Sequence, residues 1–445
     1  MLLAGFSRVD ITPPLGEELA GYPHYPRNNT GVHDPLFAVC LYLNDGICEI
    51  AMVTLDILFF SKKHVQTVRK RASETCGIPG NCIMISCSHT HSGPWASGRL
   101  DIESLEAGKC QSAPYIHQLT AAIVEAISDA KKHAFEAELV AGTEICGAEV
   151  GVGGNRRIPG GPHDPLVSVI AVRNADKVIR GAMVNYSLHP TFIHEWSTVV
   201  TADYPCYLKR KAQEEWPDAI IGFAQGASGN QSSRYYRHGE SYDEAQRVGE
   251  LLGSAACRAI EHAQWQKEAA IKTASAEVEI TLREFGNEAE LERQVAEDRA
   301  NYEALFAKYG KSDRREDYYL WQNANLKMLG TEDQLGYVRL QKRGVRIELL
   351  EDEQPAEIQV IRIGDLLVVG CPGEVFVEYG LYIKAMAGFD MVIFNELTNG
   401  CLPGYLYTPQ SLATGGYETD TSMLSPSFGR YIVDAILDLV ESVKN

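Results

Sequence analysis

Strand-like and helix-like patterns alternate along most of this 445-residue chain, and the alternation limits the folds that it can adopt. Short apolar runs rich in β-branched residues predict buried strands, whereas charged segments with apolar residues at helical spacing predict helices. Such a mixture favours an α/β architecture with central β-sheets flanked by helices, and a mixed α+β arrangement is the alternative. The predicted strands lie at 36–43, 47–60, 83–87, 166–172, 179–187, 220–224, 358–363, 366–371 and 391–395.

One stretch departs from this alternation. From Asn287 to about Gly330 the chain is charged and helical, and strand-like segments flank it on both sides. The pattern predicts a helical insertion at about 287–330 in an otherwise single domain over 1–445. The insertion is interpreted as a lid, a subunit contact or a solvated surface appendage.

The charge of the chain argues against two classes of partner. Acidic residues outnumber basic ones by 59 to 41, which gives a formal net charge of −18. Nucleic acids and anionic membrane surfaces attract basic patches, so we expect neither as a partner. No apolar run reaches membrane-spanning length, and the N-terminus lacks the basic region of a signal peptide. The eleven cysteines include no Cys-X-X-Cys pair, so we expect a cytoplasmic protein without stable membrane association.

Two histidines follow the predicted strand at 83–87, within the sequence Ser88-His89-Thr90-His91-Ser92-Gly93. Residues two apart at the end of a strand point in the same direction, so we expect both imidazoles to face one cleft. A neutral imidazole there can bind a metal, and its neighbour can carry protons. For an isolated His-X-His pair, the alternative is a polar loop with both rings in solvent.

Polar residues also follow other predicted strands. His189 ends one strand, Glu374 follows another after a Pro-Gly turn, and Tyr405 closes a glycine-rich loop. Each has a structural explanation when taken singly: a hydrogen-bonded core histidine, a carboxylate at a helix N-terminus and a half-buried aromatic ring. Together with the histidine pair they supply nitrogen and oxygen donors that suit Zn²⁺.

These motifs resemble those of the neutral ceramidases, the zinc-dependent N-acylsphingosine amidases, across their whole catalytic domain. The strongest match is His89-Thr90-His91-Ser92-Gly93-Pro94. The other matching motifs occur in the same order and at similar separations: Gly5 to Pro13, Gly21-Tyr22, Asn155-Arg156, His189-Pro190-Thr191, Pro372-Gly373-Glu374, Gly404-Tyr405 and Tyr417-Glu418.

The resemblance implies the ligands of a zinc ion. The first histidine of the His-Thr-His motif, the later histidine, the glutamate and a tyrosine hold the metal in that family. In this sequence the corresponding residues are His89, His189, Glu374 and Tyr405.

The resemblance also implies a catalytic set. His91 would act beside the attacking water as a general base or hydrogen-bond partner, and Arg156 and Tyr417 would stabilise the oxyanion. Arg157 is the alternative to Arg156 as the arginine that stabilises the oxyanion. Ser232 occupies the position of a family serine.

Two departures from the family bear on the substrate. The family's Gly-Asp-Val-Ser-Pro loop reads Gly229-Asn230-Gln231-Ser232-Ser233 here, so an amide replaces a carboxylate that could bind substrate or move a proton. The chain also ends 40 residues after Tyr405, so we expect the C-terminal β-sandwich domain of the ceramidases to be absent. No apolar insertion suited to a lipid surface is evident. These departures favour a small soluble N-acyl compound over ceramide.

The sequence therefore predicts a zinc-dependent hydrolase that cleaves a linear amide through attack of zinc-activated water. One alternative is an esterase or lactonase with the same zinc site, and another is a non-catalytic metal-containing binding protein. The expected partner is a small amide or ester. Whether the chain forms a homo-oligomer is left open. His194, five residues after His189, could serve a second metal or bind substrate, and we leave it out of the ligand set.

Overall fold

Three β-sheets form the centre of the computed structural model, which describes residues 1–98, 112–344 and 348–444. The first sheet contains β1 (Leu3–Asp10), β3 (Phe37–Asn44), β4 (Glu49–Leu55), β5 (Ile83–Cys87) and β6 (Phe135–Glu136). The second contains β7 (Glu138–Ile145), β9 (Leu166–Arg173), β10 (Ile179–Tyr186) and β12 (Ile220–Gln225). The third contains β14 (Ile271–Val278), β15 (Ala356–Ile363), β16 (Leu366–Gly370) and β18 (Met391–Asn395).

Each of these sheets is antiparallel except for one parallel pair. The strand orders are β5-β4-β3-β1-β6, β12-β10-β9-β7 and β14-β15-β16-β18. The parallel pairs are β4 with β5, β10 with β12, and β16 with β18. Three short ladders complete the strand set: β2 (Gly31–Val32) with β11 (Val199–Val200), β8 (Gly154–Asn155) with β13 (Gln231–Ser232), and β17 (Glu374–Val375) with β19 (Tyr405–Leu406).

Helices flank each main sheet. The first sheet packs against α2 (Ala113–Lys132), which in turn packs against α1 (Lys62–Cys76). The second packs against α3 (Tyr204–Glu215) and α4 (Tyr242–Ala259), and the third against α8 (Val377–Met386) and α11 (Phe428–Lys444). Along α11 the buried residues Ile432, Val433, Ile436 and Val440 recur at the spacing of one helix face.

The three sheets meet where their parallel strands end. Side chains from β4, β10 and β18, including Met52, Met183 and Ile393, surround one small internal cavity. Two of its lining residues bond to the third sheet and to the loop that follows it: the Asn185 side chain donates to the Phe394 carbonyl at 2.9 Å, and Ser86 Oγ lies 2.8 Å from Thr398 Oγ1. Because buried polar groups need hydrogen-bond partners, these contacts hold the three strand ends in one arrangement.

The predicted helical insertion is present and longer than predicted. It consists of α5 (Glu288–Tyr309) packed against α6 (Arg315–Arg343). The second helix continues past Gly330 because Leu335, Val338 and Leu340 extend its buried face. It ends at Gly344, whose φ of 64° is the left-handed conformation that terminates many helices. Three further α-helices of the described residues are α7 (Glu348–Glu353), α9 (Pro409–Thr414) and α10 (Tyr417–Asp420).

The predicted fold class is thus confirmed: the protein is α/β, with central sheets flanked by helices and with a helical insertion. Within the described ranges, none of the helices combines the length and the apolar character that crossing a membrane requires.

Candidate metal centre

Three of the predicted metal ligands come from the strand ends of three different sheets. His89 follows β5, His189 follows β10, and Glu374 lies four residues beyond β16. His189 Nε2 is 3.1 Å from both His89 Nε2 and Glu374 Oε2, and the latter two atoms are 3.3 Å apart. Ligand atoms about 2.0 Å from one tetrahedral zinc ion are about 3.3 Å from each other. The three buried side chains therefore have the donor spacing of one face of a tetrahedral metal site.

Tyr405 lies next to this triangle. It pairs with Glu374 in the parallel ladder of β17 and β19, so the two side chains leave the ladder on the same side. Its ring centroid is 5.6 Å from the Arg156 guanidinium, and it lines the same cavity as His89. Burial, and then the Glu374 carboxylate, raise the pKa of the Tyr405 phenol well above its usual value.

His91 completes a cluster of three histidines. Its ring centroid is 4.9 Å from that of His89 and 5.9 Å from that of His189. Both of its ring nitrogens are buried and lack a hydrogen-bond partner among the described residues. Burial, and then the charge of His89, lower the pKa of His91 well below its usual value, which favours the neutral imidazole. Because buried unpartnered nitrogens are unfavourable, they fit a group that the protein itself does not supply, such as a metal, water or substrate.

The backbone brings the two motif histidines together in a way that strand alternation did not predict. β5 ends at Cys87, and His89 has a φ of 67°, in the left-handed region that is uncommon for residues other than glycine. Its amide donates to the Ile57 carbonyl at 3.0 Å, which fixes this turn. Gly21 allows the close approach of His91, because a Cβ at Gly21 would lie 2.5 Å from the His91 Cβ. Such strained conformations concentrate at functional sites.

A hydrogen-bonded chain that the sequence did not reveal orients His189. Its Nδ1 donates to the Ser228 carbonyl at 2.8 Å, which leaves the Nε2 lone pair free for a metal. The Ser228 hydroxyl donates to one oxygen of Glu396, and the other oxygen accepts from the Val375 amide at 2.7 Å. Glu396 is fully buried, and burial raises its pKa well above the usual value. In the sequence, its position directly after the strand β18 was the one feature that could have indicated a role for Glu396 at the site.

We expect Glu396→Gln to weaken zinc binding about 10- to 100-fold, the usual effect of changing a group that orients a metal ligand. The glutamine side chain has one acceptor oxygen where the carboxylate has two, so either the Ser228 hydroxyl or the Val375 backbone N–H loses its acceptor. A competition titration with a chelating dye measures the affinity. Glu297→Gln, on the exposed side of α5, is the matched control. An affinity unchanged in both variants would contradict this role.

Arg156 and Arg157 share one carboxylate beside the cluster. Arg156 Nε donates to Glu418 Oε1 at 2.7 Å, and Arg157 Nη1 donates to Glu418 Oε2 at 2.6 Å. Arg157 also donates to the carbonyls of Ser411 and Gly415, so it holds the loop that precedes Tyr417. Arg156, which reaches Tyr405, is the arginine that adjoins the predicted ligands.

Tyr417 and Ser232 line the same cavity as His89, His91 and Glu374. The Tyr417 ring centroid is 6.3 Å from that of Tyr405, and burial, followed by the Asp333 charge, raises the pKa of its hydroxyl, which remains a hydrogen-bond donor. Ser232 Oγ accepts from the Arg234 amide at 3.2 Å. The structure therefore brings all of the predicted site residues to this one region.

The Asn230 side chain is engaged elsewhere. Its Oδ1 accepts from the Val377 amide at 2.9 Å, and its Nδ2 donates to Glu378 at 2.8 Å. This side chain therefore satisfies an amide at the start of α8, where helix N–H groups lack intrahelical partners. The position that carries a carboxylate in the family motif is a structural one in this chain.

His89, His91 and Glu374 line a cavity of about 750 Å³. The insertion helix α6 forms one wall, with Asn323, Leu326 and Asp333 among its lining residues. His194 lies on another wall, where its ring stacks on Tyr22 with centroids 5.5 Å apart. Sequence reasoning did not identify the wall formed by α6, because its polar residues resemble those of any solvated helix.

Comparison with solved structures shows that this is the neutral ceramidase fold. The neutral ceramidase of Pseudomonas aeruginosa matches with a TM-score of 0.74 and 18% sequence identity, over 99% of this chain and 74% of that one. A ceramidase complexed with C2 matches with a TM-score of 0.76 and 17% identity, over 100% of this chain and 75% of that one. No protein-family model and no curated protein sequence matches the chain. The resemblance drawn from the motifs is confirmed at the level of the fold.

Proposed function

We propose that the protein is a zinc-dependent hydrolase that cleaves the amide bond of a small soluble N-acyl compound. The observation that carries this proposal is the triangle of His89, His189 and Glu374 donor atoms, 3.1 to 3.3 Å apart. The ceramidase fold supports an amide as the scissile bond.

The residues around the triangle fit the roles that hydrolysis requires. His89, His189 and Glu374 would hold Zn²⁺, with Tyr405 as a fourth donor. When bound, the ion supplies a Lewis acid that polarises a carbonyl and lowers the pKa of water. The cavity brings His91 to the same place, with two ring nitrogens that no described protein group occupies.

His91 is proposed as the proton carrier. Its neutral imidazole accepts a proton from the attacking water and then returns a proton to the leaving nitrogen. Arg156 and Tyr417 donate hydrogen bonds to the oxyanion that forms from the amide carbonyl. Arg156 is held for this by Glu418 and by the Gly229 carbonyl, to which its Nη2 donates at 2.8 Å. Ser232 is proposed to position the substrate.

Metal analysis and substrate hydrolysis together test the proposal. We expect about one zinc per chain, loss of amide hydrolysis on treatment with a chelator, and recovery on addition of zinc. A panel of N-acyl amides and esters with the same acyl groups identifies the scissile bond. Faster turnover of the esters would instead support an esterase or lactonase. Activity of the zinc-free protein would refute the metal mechanism, and zinc with tight binding but no turnover would indicate a binding protein.

A further inference from the structure

One arginine on the cavity wall lacks the carboxylate partner that the neighbouring cations have. Arg234 lines the cavity and forms no ion pair within the described part of the chain. Its Nε is buried and has no hydrogen-bond partner there. The other cations on this wall are each paired: Arg156 and Arg157 with Glu418, Arg237 with Glu240, and Lys327 with Asp298.

The helical insertion holds Arg234 in place. Its backbone carbonyl accepts hydrogen bonds from Arg315, at 2.9 Å, and from the Tyr319 hydroxyl. Its Nη2 donates to Asn323 Oδ1 at 2.6 Å, and its guanidinium lies 5.5 Å from the Tyr319 ring centroid. All three partners belong to α6, so this helix fixes both the backbone and the side chain of Arg234. A group fixed before binding loses less freedom when a ligand arrives.

The position of Arg234 relates it to the proposed reaction. It lies two residues after Ser232 and donates its amide to that hydroxyl. Both residues line the cavity that contains His89, His91 and Glu374. A molecule that binds in this cavity beside the histidines can therefore also contact Arg234.

A partly buried guanidinium that forms no ion pair is less favourable than one with a bound anion. Its planar donors match a carboxylate, and one unpaired cation matches one negative charge rather than the two of a phosphate ester. The chain as a whole carries a net charge of −18, so a free cation here is not a general property of its surface.

We propose that Arg234 binds a carboxylate of the substrate, which makes the substrate an N-acyl compound with a single negative charge, such as an N-acyl amino acid. This inference rests on the proposed hydrolase function and names its substrate class. It also assigns the insertion a role, since α6 presents the specificity-determining arginine.

The test compares Arg234→Gln with the wild-type zinc protein on two matched sets of probes. One set is a panel of N-acetyl amino acids, and the other is the corresponding neutral carboxamides, with acetate release as the readout. We expect the wild-type protein to prefer the carboxylates and the variant to lose about 10- to 100-fold of that preference, mainly through KM. Arg234→Lys keeps the positive charge but lacks the planar paired donors of the guanidinium, so we expect it to recover part of the carboxylate preference. Arg293→Gln, on the exposed side of α5, is the control.

A second measurement does not depend on turnover. Calorimetric binding of the same carboxylates and carboxamides to the zinc-loaded protein should show the carboxylate preference and its loss in Arg234→Gln. If the wild-type protein and the variant each bind and hydrolyse the carboxylates and the carboxamides equally well, the role of Arg234 is overturned and the hydrolase proposal stands. Carboxylate binding without hydrolysis would support Arg234 while refuting the hydrolase. Stronger binding of N-acetylaminoethyl phosphate than of every carboxylate would overturn the assignment of a singly charged group.

Discussion

The His89→Ala variant is expected to lose its zinc and to hydrolyse the substrate at least about 1,000-fold more slowly than the wild type, since the ion contributes several kcal/mol to the transition state. The imidazole of His89 supplies one corner of the three-atom face, and His189 and Glu374 alone cannot form that face. Elemental analysis gives the zinc content, and steady-state kinetics gives kcat/KM.

The choice of substitution matters because His89 has a φ of 67°. Asparagine adopts this left-handed conformation more readily than alanine, so His89→Asn is a second variant in which a folding defect is less expected. His262→Ala, at an exposed position, controls for the loss of a histidine. Full zinc occupancy in a folded His89 variant would contradict the proposed centre.

The His91→Ala variant is expected to keep its zinc and to lose about 100- to 10,000-fold in kcat, the usual contribution of a general acid–base residue. The reason is that the donor atoms of His89, His189 and Glu374 are 3.1 to 3.3 Å apart, whereas the ring nitrogens of His91 make no hydrogen bond to any described residue. We therefore place His91 beside the face rather than in it. Metal analysis of the purified variant and its kcat are measured together.

Glu374→Ala is the counterpart of this experiment, because the donor atoms of His91 also lie within 4.8 Å of those of the other two histidines. We expect Glu374→Ala to lose zinc and His91→Ala to retain it. The reverse result would show that three histidines hold the metal and that Glu374 has another role. Circular dichroism of both variants checks that each still folds.

The α/β class could be predicted because the spacing of apolar residues along each strand and helix can be read from the sequence alone. β5 is buried at every position and appears in the sequence as a short apolar run. The end of the insertion was harder to predict. Charged residues continue beyond Gly330 while the buried face passes through Leu335 and Leu340, so the helix reaches Gly344.

The candidate ligands could be proposed from their types and from their places after apolar strands, but their supporting residues could not. Glu396 and Ser228 orient His189 through hydrogen bonds between loops far apart in sequence. Asn230 occupies a position that suggests substrate contact, yet it binds amide and carboxylate groups of α8. Such contacts depend on which loops the fold places side by side, and no local pattern encodes them.

The sequence by itself determined the alternation of strands and helices, the donor types at the strand ends and the acidic net charge, because periodicity, side-chain chemistry and charge are properties of the chain alone. Only the tertiary structure decided that three sheets bring His89, His189 and Glu374 donor atoms within 3.3 Å. It also decided that Arg234, on the cavity wall, forms no ion pair with any described residue, while its neighbours have carboxylates. Distances and charge pairing arise when distant segments pack together, and packing is a property of the folded molecule.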